Sequence, residues 1–269
     1  MEKQLFTLIF VCLGLYQSRA QEVQIQYMAN QGVWIKSQDK QILIDAVFDK
    51  EFEFLDVLPK TELELLDDAK PNYNEIDLIL ATHLHGDHFH PILTGNHLRA
   101  NPKTEFFGPL ETFSVFQQKF EGFQEISNRV HTDSLQLHQT SAYSLNEIKV
   151  EALRLAHFGT HPWNKAENYA YLIHLNGKKI LHVGDSNLNV ENISKLNLAE
   201  RKIDVAILPY WQIGSSERMD LIETYIGAKQ LLIAHIPLEN FADAQQDITQ
   251  LGYQNAKALT QQFEIIILD

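Results

Sequence analysis

The chain has 269 residues, 45% of them hydrophobic, and its 22 basic and 35 acidic residues give a formal net charge of −13 at pH 7. This length suffices for one large domain or two small ones, and the acidic balance argues against nucleic acid as a partner, because phosphate binding needs Lys and Arg. The single cysteine, Cys12, lies in an apolar N-terminal run, so a chain without that run has no disulfide, thiolate metal ligand or cysteine nucleophile.

Residues 1–20 have the layout of a secretory signal peptide. Lys3 precedes an apolar run over residues 5–15, and small residues follow at Ser18 and Ala20, which predicts cleavage after Ala20. The alternative is an uncleaved anchor, although the run is short for crossing a bilayer. We expect an exported protein, periplasmic or extracellular, with no transmembrane anchor after cleavage and a single domain over residues 21–269.

In the first half of this domain, the pattern of apolar residues predicts strands first and helices afterwards. Apolar bursts over residues 23–44, broken at two turn-like segments, predict an antiparallel opening of three strands. Residues 49–70 are acidic with apolar residues at helical spacing, interrupted by Pro59, and predict one or two short helices that form a flap on the surface. The sequence leaves open whether this flap covers the active site. Further along, the pattern predicts a buried strand at 76–82, a helix at 91–99, a strand at 104–108 and a helix at 109–120. Residues 122–147 show no clear pattern.

The second half alternates strands with helices. Residues 148–157 alternate in polarity as a strand does, and residues 169–175 and 178–185 predict a hairpin across Asn176-Gly177. The remaining predicted elements are strands at 203–210, 230–235 and 263–269 and helices at 215–226 and 240–250. Sheets covered by helices, in one layered α/β domain, are the fold class that this order indicates.

Candidate metal ligands end four of the predicted strands. The stretch "THLHGDH" (82–88) follows one buried strand, and His157, Asp185 and His235 end three others. Carboxyl ends of strands meet at one edge of an α/β sheet, where loops diverge around a cleft. Imidazole and carboxylate both suit a dication such as zinc. The pattern therefore predicts a metal site at this edge.

The spacing within the stretch allows two ions. His83 and His85, two residues apart, can project the same way from an extended segment, whereas Asp87 and His88 follow Gly86, where the backbone can bend sharply. Two-metal sites activate a water as nucleophile and stabilise the oxygen on which charge develops.

The same residues resemble a known family. The segment "HLHGDH" is similar to the His-x-His-x-Asp-His signature of the metallo-β-lactamase fold superfamily, and "LAHFG", "HVGDS" and "IAHIP" follow in the family's order. Asp45 in "ILIDA" matches the structural aspartate after the opening strands. The resemblance spans residues 23–269 and implies a four-layer αββα sandwich with the metals at one edge of its two sheets.

The resemblance also implies a division of the ligands in a dinuclear centre. The first metal would be bound by His83, His85 and His157, and the second by Asp87, His88 and His235. Asp185 would bridge both together with a hydroxide. The resemblance implies two divalent ions, with Zn²⁺ the first expectation and iron or manganese the alternatives. Asp87 and Asp185 are the implied catalytic residues, Asp87 as the group that handles the proton, and Asp45 would orient the ligand loop through hydrogen bonds.

Within the superfamily, a cysteine-free domain with Asp185 argues against β-lactam hydrolysis. The segments "ANQGVWI", "ENYAYLI" and "KKILHVGDS" resemble the branch that contains ascorbate-6-phosphate lactonase and the phospholipase D that releases N-acylethanolamines. This implies an exported hydrolase in which a metal-bridging hydroxide attacks an ester, lactone or phosphodiester of a small-molecule or lipid-like substrate. The alternatives are a non-catalytic exported metal-binding protein of the same fold and oxygen reduction at a di-iron site, which would require a flavin domain. The sequence does not predict the oligomeric state.

Four further side chains are predicted to line the substrate pocket, because they lie near strand ends at the ligand-bearing edge. They are His161, Trp163, Tyr210 and Trp211. Lys165, in the same loop as His161, is expected to be solvated.

Overall fold

The computed structural model describes residues 22–50 and 52–268, so the predicted signal peptide lies outside the described residues. Six strands precede the middle of the chain: β1 (Val23–Ala29), β2 (Gly32–Lys36), β3 (Gln41–Ile44), β4 (Leu78–Leu80), β5 (Glu105–Pro109) and β6 (Val130–Asp133). Eight follow: β7 (Thr140–Leu145), β8 (Ile148–Ala156), β9 (Glu167–Leu175), β10 (Lys178–His182), β11 (Val205–Pro209), β12 (Gln230–Ala234), β13 (Ala256–Ala258) and β14 (Ile265–Leu268).

The helices divide between the two halves of the chain. They are α1 (Lys60–Asp67), α2 (Pro91–Ala100), α3 (Leu110–Lys119), α4 (Phe123–Ile126), α5 (Val190–Ile193), α6 (Ser216–Tyr225) and α7 (Ala244–Gln250). Local sequence explains where two of them begin. Pro91 opens α2, where a missing N–H costs nothing, and the His90 side chain accepts a hydrogen bond from the Leu93 N–H. Ser215 caps α6 by accepting from the Arg218 N–H at 3.3 Å.

The strands form two seven-stranded sheets that pack face to face. Their orders are β14-β1-β2-β3-β4-β5-β6 and β13-β12-β11-β10-β9-β8-β7. One buried cluster lies between the sheets and includes Tyr27, Phe107 and Ile207. A second packs α1 to α4 on the first sheet, and a third packs α5 to α7 on the second. This arrangement confirms the predicted αββα sandwich, because each sheet buries one face against the other sheet and one against helices.

Several elements differ from the sequence prediction. The described residues among 49–59 are not helical, and α1 is the helix that the described part of 49–70 contains. Strand β10 ends at His182, not at 185, because Gly184 has φ +57°, which breaks the extended backbone. The unassigned 122–147 segment contains α4, β6 and β7, which are short and partly exposed, so that their apolar periodicity is weak.

The topology brings the ligand-bearing ends together. Strands β3 and β4 are parallel, as are β10, β11 and β12. Strand β9 is antiparallel to both β8 and β10, so β8 runs in the same direction as β10. The carboxyl ends of β4, β8, β10 and β12 therefore lie on one edge of the sandwich. In the part of the chain that the structure describes, no helix is long and apolar enough to cross a membrane.

Candidate metal centre

The structure brings all seven candidate ligands to this edge. The segment after β4 carries His83, His85, Asp87 and His88, whereas His157, Asp185 and His235 follow β8, β10 and β12. Among the described residues, three groups of potential ligand atoms lie within 4.8 Å of one another, and one of them joins Asp45 to His83 and His88. The other two divide the seven candidate ligands: His83, His85, His157 and Asp185 in the first group, and Asp87, His88 and His235 in the second. This division is the one that the sequence resemblance implies.

The Asp185 carboxylate lies between the two groups. Its Oδ2 is 3.9 Å from His83 Nε2, 3.7 Å from His157 Nε2 and 3.8 Å from His235 Nε2. Its Oδ1 is 3.5 Å from His88 Nε2. One carboxylate thus faces imidazoles of both groups, which is the placement that a bridging ligand requires.

Hydrogen bonds to Asp45 hold two histidines in a single tautomer. The Thr82 hydroxyl donates to Asp45 Oδ2 at 2.6 Å, so its oxygen accepts from His83 Nδ1 at 2.9 Å. His88 Nδ1 donates to the same Oδ2 at 2.9 Å. In a neutral ring, a proton on Nδ1 leaves the Nε2 lone pair free, and in both rings Nε2 points into the cluster.

The free ring nitrogens show that the residues fit a metal ion. Nε2 of His83, His88, His157 and His235 is buried without a hydrogen-bond partner among residues 22–50 and 52–268, and so is Asp185 Oδ1. Buried polar atoms are ordinarily paired, and leaving one unpaired is costly. A divalent cation would satisfy these atoms together, and imidazole and carboxylate are donors that zinc, iron and manganese accept.

The electrostatics of the cluster favour a cation. Burial opposes protonation of His88, but the carboxylates of Asp185, Asp87 and Asp45 outweigh it and raise the pKa of His88 to about 10. Burial, with the neighbouring His157, lowers the pKa of His85 to about 4. Burial also lowers the pKa of His83 and of His157. The three histidines of the first group are therefore neutral imidazoles, the form that binds metal.

Asp87 and His235 are oriented by Asn30, which the sequence reasoning did not single out. The Asn30 side chain donates to the Asp87 backbone oxygen at 3.1 Å and to Asp87 Oδ2 at 3.3 Å. Its backbone oxygen accepts from the His235 N–H at 2.8 Å. Asn30 sits in the β1–β2 turn with φ +53°, and the turn signal alone does not show that its amide faces a ligand.

Asn168 plays the corresponding part for Asp185. Its Oδ1 accepts from the Asp185 N–H at 3.1 Å, and its Nδ2 donates to the Val183 oxygen and to Ser186 Oγ. Asn168 is fully buried at the start of β9. It was also missed from the sequence, where it reads as an ordinary strand residue.

The metal-facing side of the cluster opens into a cleft of about 520 Å³. Of the four predicted pocket residues, Trp163 and Trp211 line it. Tyr210 lines a separate cavity instead, where its hydroxyl is 3.2 Å from Asp247 Oδ2. His161 is exposed and is not among the described residues that line the cleft. The remaining wall comes from Lys50, Phe52, Phe54 and Leu55, in the segment whose role as a cover the sequence left open, and from Phe158, which was not predicted.

Comparison with known proteins agrees with this fold. The family described as the beta-lactamase superfamily domain matches residues 40–251. A protein from Pyrococcus abyssi, named as a metal-dependent hydrolase, is 26% identical over 207 residues, covering 75% of this chain and 79% of that protein. The structure of a metallo hydrolase from Ignicoccus hospitalis superposes with a TM-score of 0.60 at 17% identity, covering 92% of this chain and 99% of the other. The metallo-beta-lactamase fold protein YhfI from Bacillus subtilis gives 0.59 at 14% identity, with the same coverage.

Proposed function

Because this chain belongs to the beta-lactamase superfamily, whose domain spans its residues 40–251, we propose that it is a metal-dependent hydrolase. The observation that carries the proposal is the convergence of two ligand groups whose buried ring nitrogens have no partner among the described residues. The archaeal relative named for the same general activity supports it.

In this proposal the centre is dinuclear. His83, His85 and His157 would hold one ion and Asp87, His88 and His235 another, and Asp185, which faces imidazoles of both groups, would be shared between them. Bound zinc, or iron or manganese in its place, would supply a nucleophile from water near neutral pH and stabilise negative charge developing on the substrate.

Asp87 is the proposed proton-transfer group. Burial raises the pKa of its carboxyl, but His88 and His235 outweigh this and hold the pKa below its usual range, so the group is ionised. Asp87 lines the cleft, and the Asn30 amide orients its Oδ2. Oδ2 would accept the proton of the attacking water and return it to the leaving-group oxygen as the scissile bond breaks.

The proposed substrate is a small-molecule or lipid-like ester, lactone or phosphodiester. A cleft of about 520 Å³ lies within the range of small-molecule sites. The layout of residues 1–20 supports export to the periplasm or the exterior, and the formal charge of −13 argues against a nucleic acid substrate.

The test combines metal analysis with a panel of esters, lactones and phosphodiesters. Wild-type protein loaded with Zn²⁺, Fe²⁺ or Mn²⁺ should hydrolyse at least one class, and Asp185→Asn should lower turnover at least about 100-fold, since charge stabilisation worth several kcal/mol is lost. His131→Ala is the matched control, because His131 pairs with Glu105 at 3.5 Å beside another cavity.

Unchanged turnover in folded, metal-loaded Asp185→Asn would refute the mechanism. Stoichiometric metal without hydrolysis of any class would favour the non-catalytic metal-binding alternative.

A further inference from the structure

The cleft above the metal centre has an apolar wall built from three separate loops. Phe52, Phe54 and Leu55 come from the segment after β3, Phe158 and Trp163 from the loop after β8, and Trp211 from the turn after β11. The floor is formed by candidate ligands, including His85 and Asp185. A bound molecule would therefore meet ligand side chains at its reacting end and carbon surface elsewhere.

Aromatic rings on this wall are exposed to an unusual degree. Trp163 is 61% exposed, Phe54 56% and Phe158 36%. The Phe158 and Trp211 rings stack with centroids 5.8 Å apart, and Trp163 meets His85 edge-on at 5.3 Å. Exposed apolar surface concentrated at one opening marks a binding surface, so the cleft is suited to a flat or acyl apolar group.

Lys50 adds a positive charge to this otherwise apolar wall. It is the one lysine or arginine among the described residues that line the cleft. Its side chain packs against Gly86, the residue between His85 and Asp87 in the sequence. A Cβ on Gly86 would stand 2.7 Å from Lys50 Cδ. The glycine therefore makes room for the lysine beside the ligand loop.

The ammonium of Lys50 is available to a ligand. Its Nζ lies 4.7 Å from the centre of the Phe52 ring, and it forms no ion pair with any residue that the structure describes. Lys50 is exposed, so its ammonium can meet the anionic group of a ligand that enters the cleft from solvent, and opposite charges a few ångströms apart attract each other. The overall charge of −13 would otherwise repel such a ligand.

We propose that Lys50 is a specificity-determining residue that binds the anionic group of an apolar substrate. The substrate class is a small amphiphilic anion: an acyl or aromatic group, packed against Trp163, Trp211 and Phe158, with a carboxylate, sulfonate or phosphate at Lys50 Nζ. This proposal rests on the proposed hydrolase function for its consequence in catalysis, but the binding itself does not require turnover.

The test uses two probes that differ by one charged group. Both 8-anilinonaphthalene-1-sulfonate and neutral N-phenyl-1-naphthylamine carry the same aromatic skeleton, and their fluorescence reports binding. Wild-type protein should bind the sulfonate more tightly than the neutral probe, and Lys50→Met should weaken sulfonate binding at least about 10-fold, as expected for one hydrogen bond to a charged group. Binding of the neutral probe should be unchanged.

Two further variants complete the design. Lys119→Met removes an exposed lysine at the end of α3, away from the cleft, and should alter neither affinity. Trp163→Ala should weaken both probes alike, because both use the aromatic wall. Equal loss of both probes in Lys50→Met, or no loss of either, would overturn the proposal.

Substrate pairs separate this proposal from the hydrolase function. The p-nitrophenyl ester of hexanoic acid and the mono-p-nitrophenyl ester of adipic acid differ by a terminal carboxylate. A Lys50-dependent probe preference without hydrolysis of any ester, lactone or phosphodiester would uphold the anion site and refute the hydrolase function. Hydrolysis of both esters with equal kcat/KM in wild type and Lys50→Met, together with no preference between the probes, would uphold the hydrolase function and refute the anion site. Lys50-dependent sedimentation with phosphatidylglycerol vesicles, without discrimination between the soluble probes, would assign the anion to a lipid headgroup and overturn the small-molecule assignment.

Discussion

Replacing Asp45 with asparagine should weaken metal binding although Asp45 is not placed as a ligand. Asp45 Oδ1 accepts from the Thr82 N–H at 2.7 Å, and that backbone group can only donate. In Asp45→Asn the amide oxygen must stay there, so the NH₂ group takes the place of Oδ2 and faces His88 Nδ1. His88 Nδ1 would then have to accept, and its proton would move to Nε2, the atom that faces Asp87 and Asp185.

The size of the effect follows from the contacts that change. Two hydrogen bonds to a charged oxygen, from Thr82 Oγ1 at 2.6 Å and from His88 Nδ1 at 2.9 Å, lose their acceptor. Loss of a hydrogen-bond partner behind a metal ligand typically costs about 10- to 100-fold in affinity, or roughly 1.4–2.8 kcal/mol. Because the new tautomer blocks Nε2 outright, we expect the upper part of this range for one of the two ions.

Competition with a chromogenic chelator would measure the affinity, and the ¹⁵N shifts of His88 would report its tautomer. Asp77→Asn is the matched control: Asp77 is also largely buried in the first sheet, and its Oδ2 accepts from the Gln41 N–H at 2.8 Å. It should lose stability without a change in metal affinity. Wild-type affinity in Asp45→Asn, with Nδ1 of His88 still protonated, would refute the reasoning.

Two predictions concern stability. His97 is buried beside the Leu66 oxygen, and burial lowers its pKa from 6.5 to about 4; the unfolded chain binds the proton first as pH falls, so this contribution to stability is present above pH 6.5 and lost toward pH 4. Urea unfolding of the chelator-treated protein at pH 7.5 and 4.5 would measure this contribution. Between these pH values, the free energy of unfolding should fall by roughly 2–3 kcal/mol less in His97→Gln than in wild type, and an equal fall in both proteins would contradict the prediction. Gly184→Ala should cost roughly 2–5 kcal/mol and reduce metal content, because a Cβ at φ +57° would lie 2.7 Å from the Asn168 and Thr82 side chains. Gly177→Ala, at φ +77° in open space, should cost only the roughly 1–2 kcal/mol of the backbone conformation, and equal unfolding free energies for the two variants would exclude the contact.

The local parts of this protein were determined by the sequence alone. Apolar runs such as "LIL" in β4 and the Asn176-Gly177 turn depend on neighbouring residues, so strand and hairpin positions were predictable. The side chains after those strands identified the ligand set for the same reason, since the carboxyl ends of parallel strands meet at one edge.

Only the tertiary structure decided what surrounds the ligands. Asn30 and Asp87 are 57 residues apart in the chain, and Lys50 reaches the ligand loop across Gly86. Tyr210 and Trp211 are adjacent, yet only Trp211 lines the cleft, whereas both line the neighbouring cavity. Such contacts depend on how loops from both sheets pack at the shared edge. These loops have no hydrophobic periodicity, so the sequence pattern does not predict their packing. The sequence therefore identified the ligand side chains, whereas the packing of distant loops decided their hydrogen-bond supports and the apolar, singly cationic cleft above them.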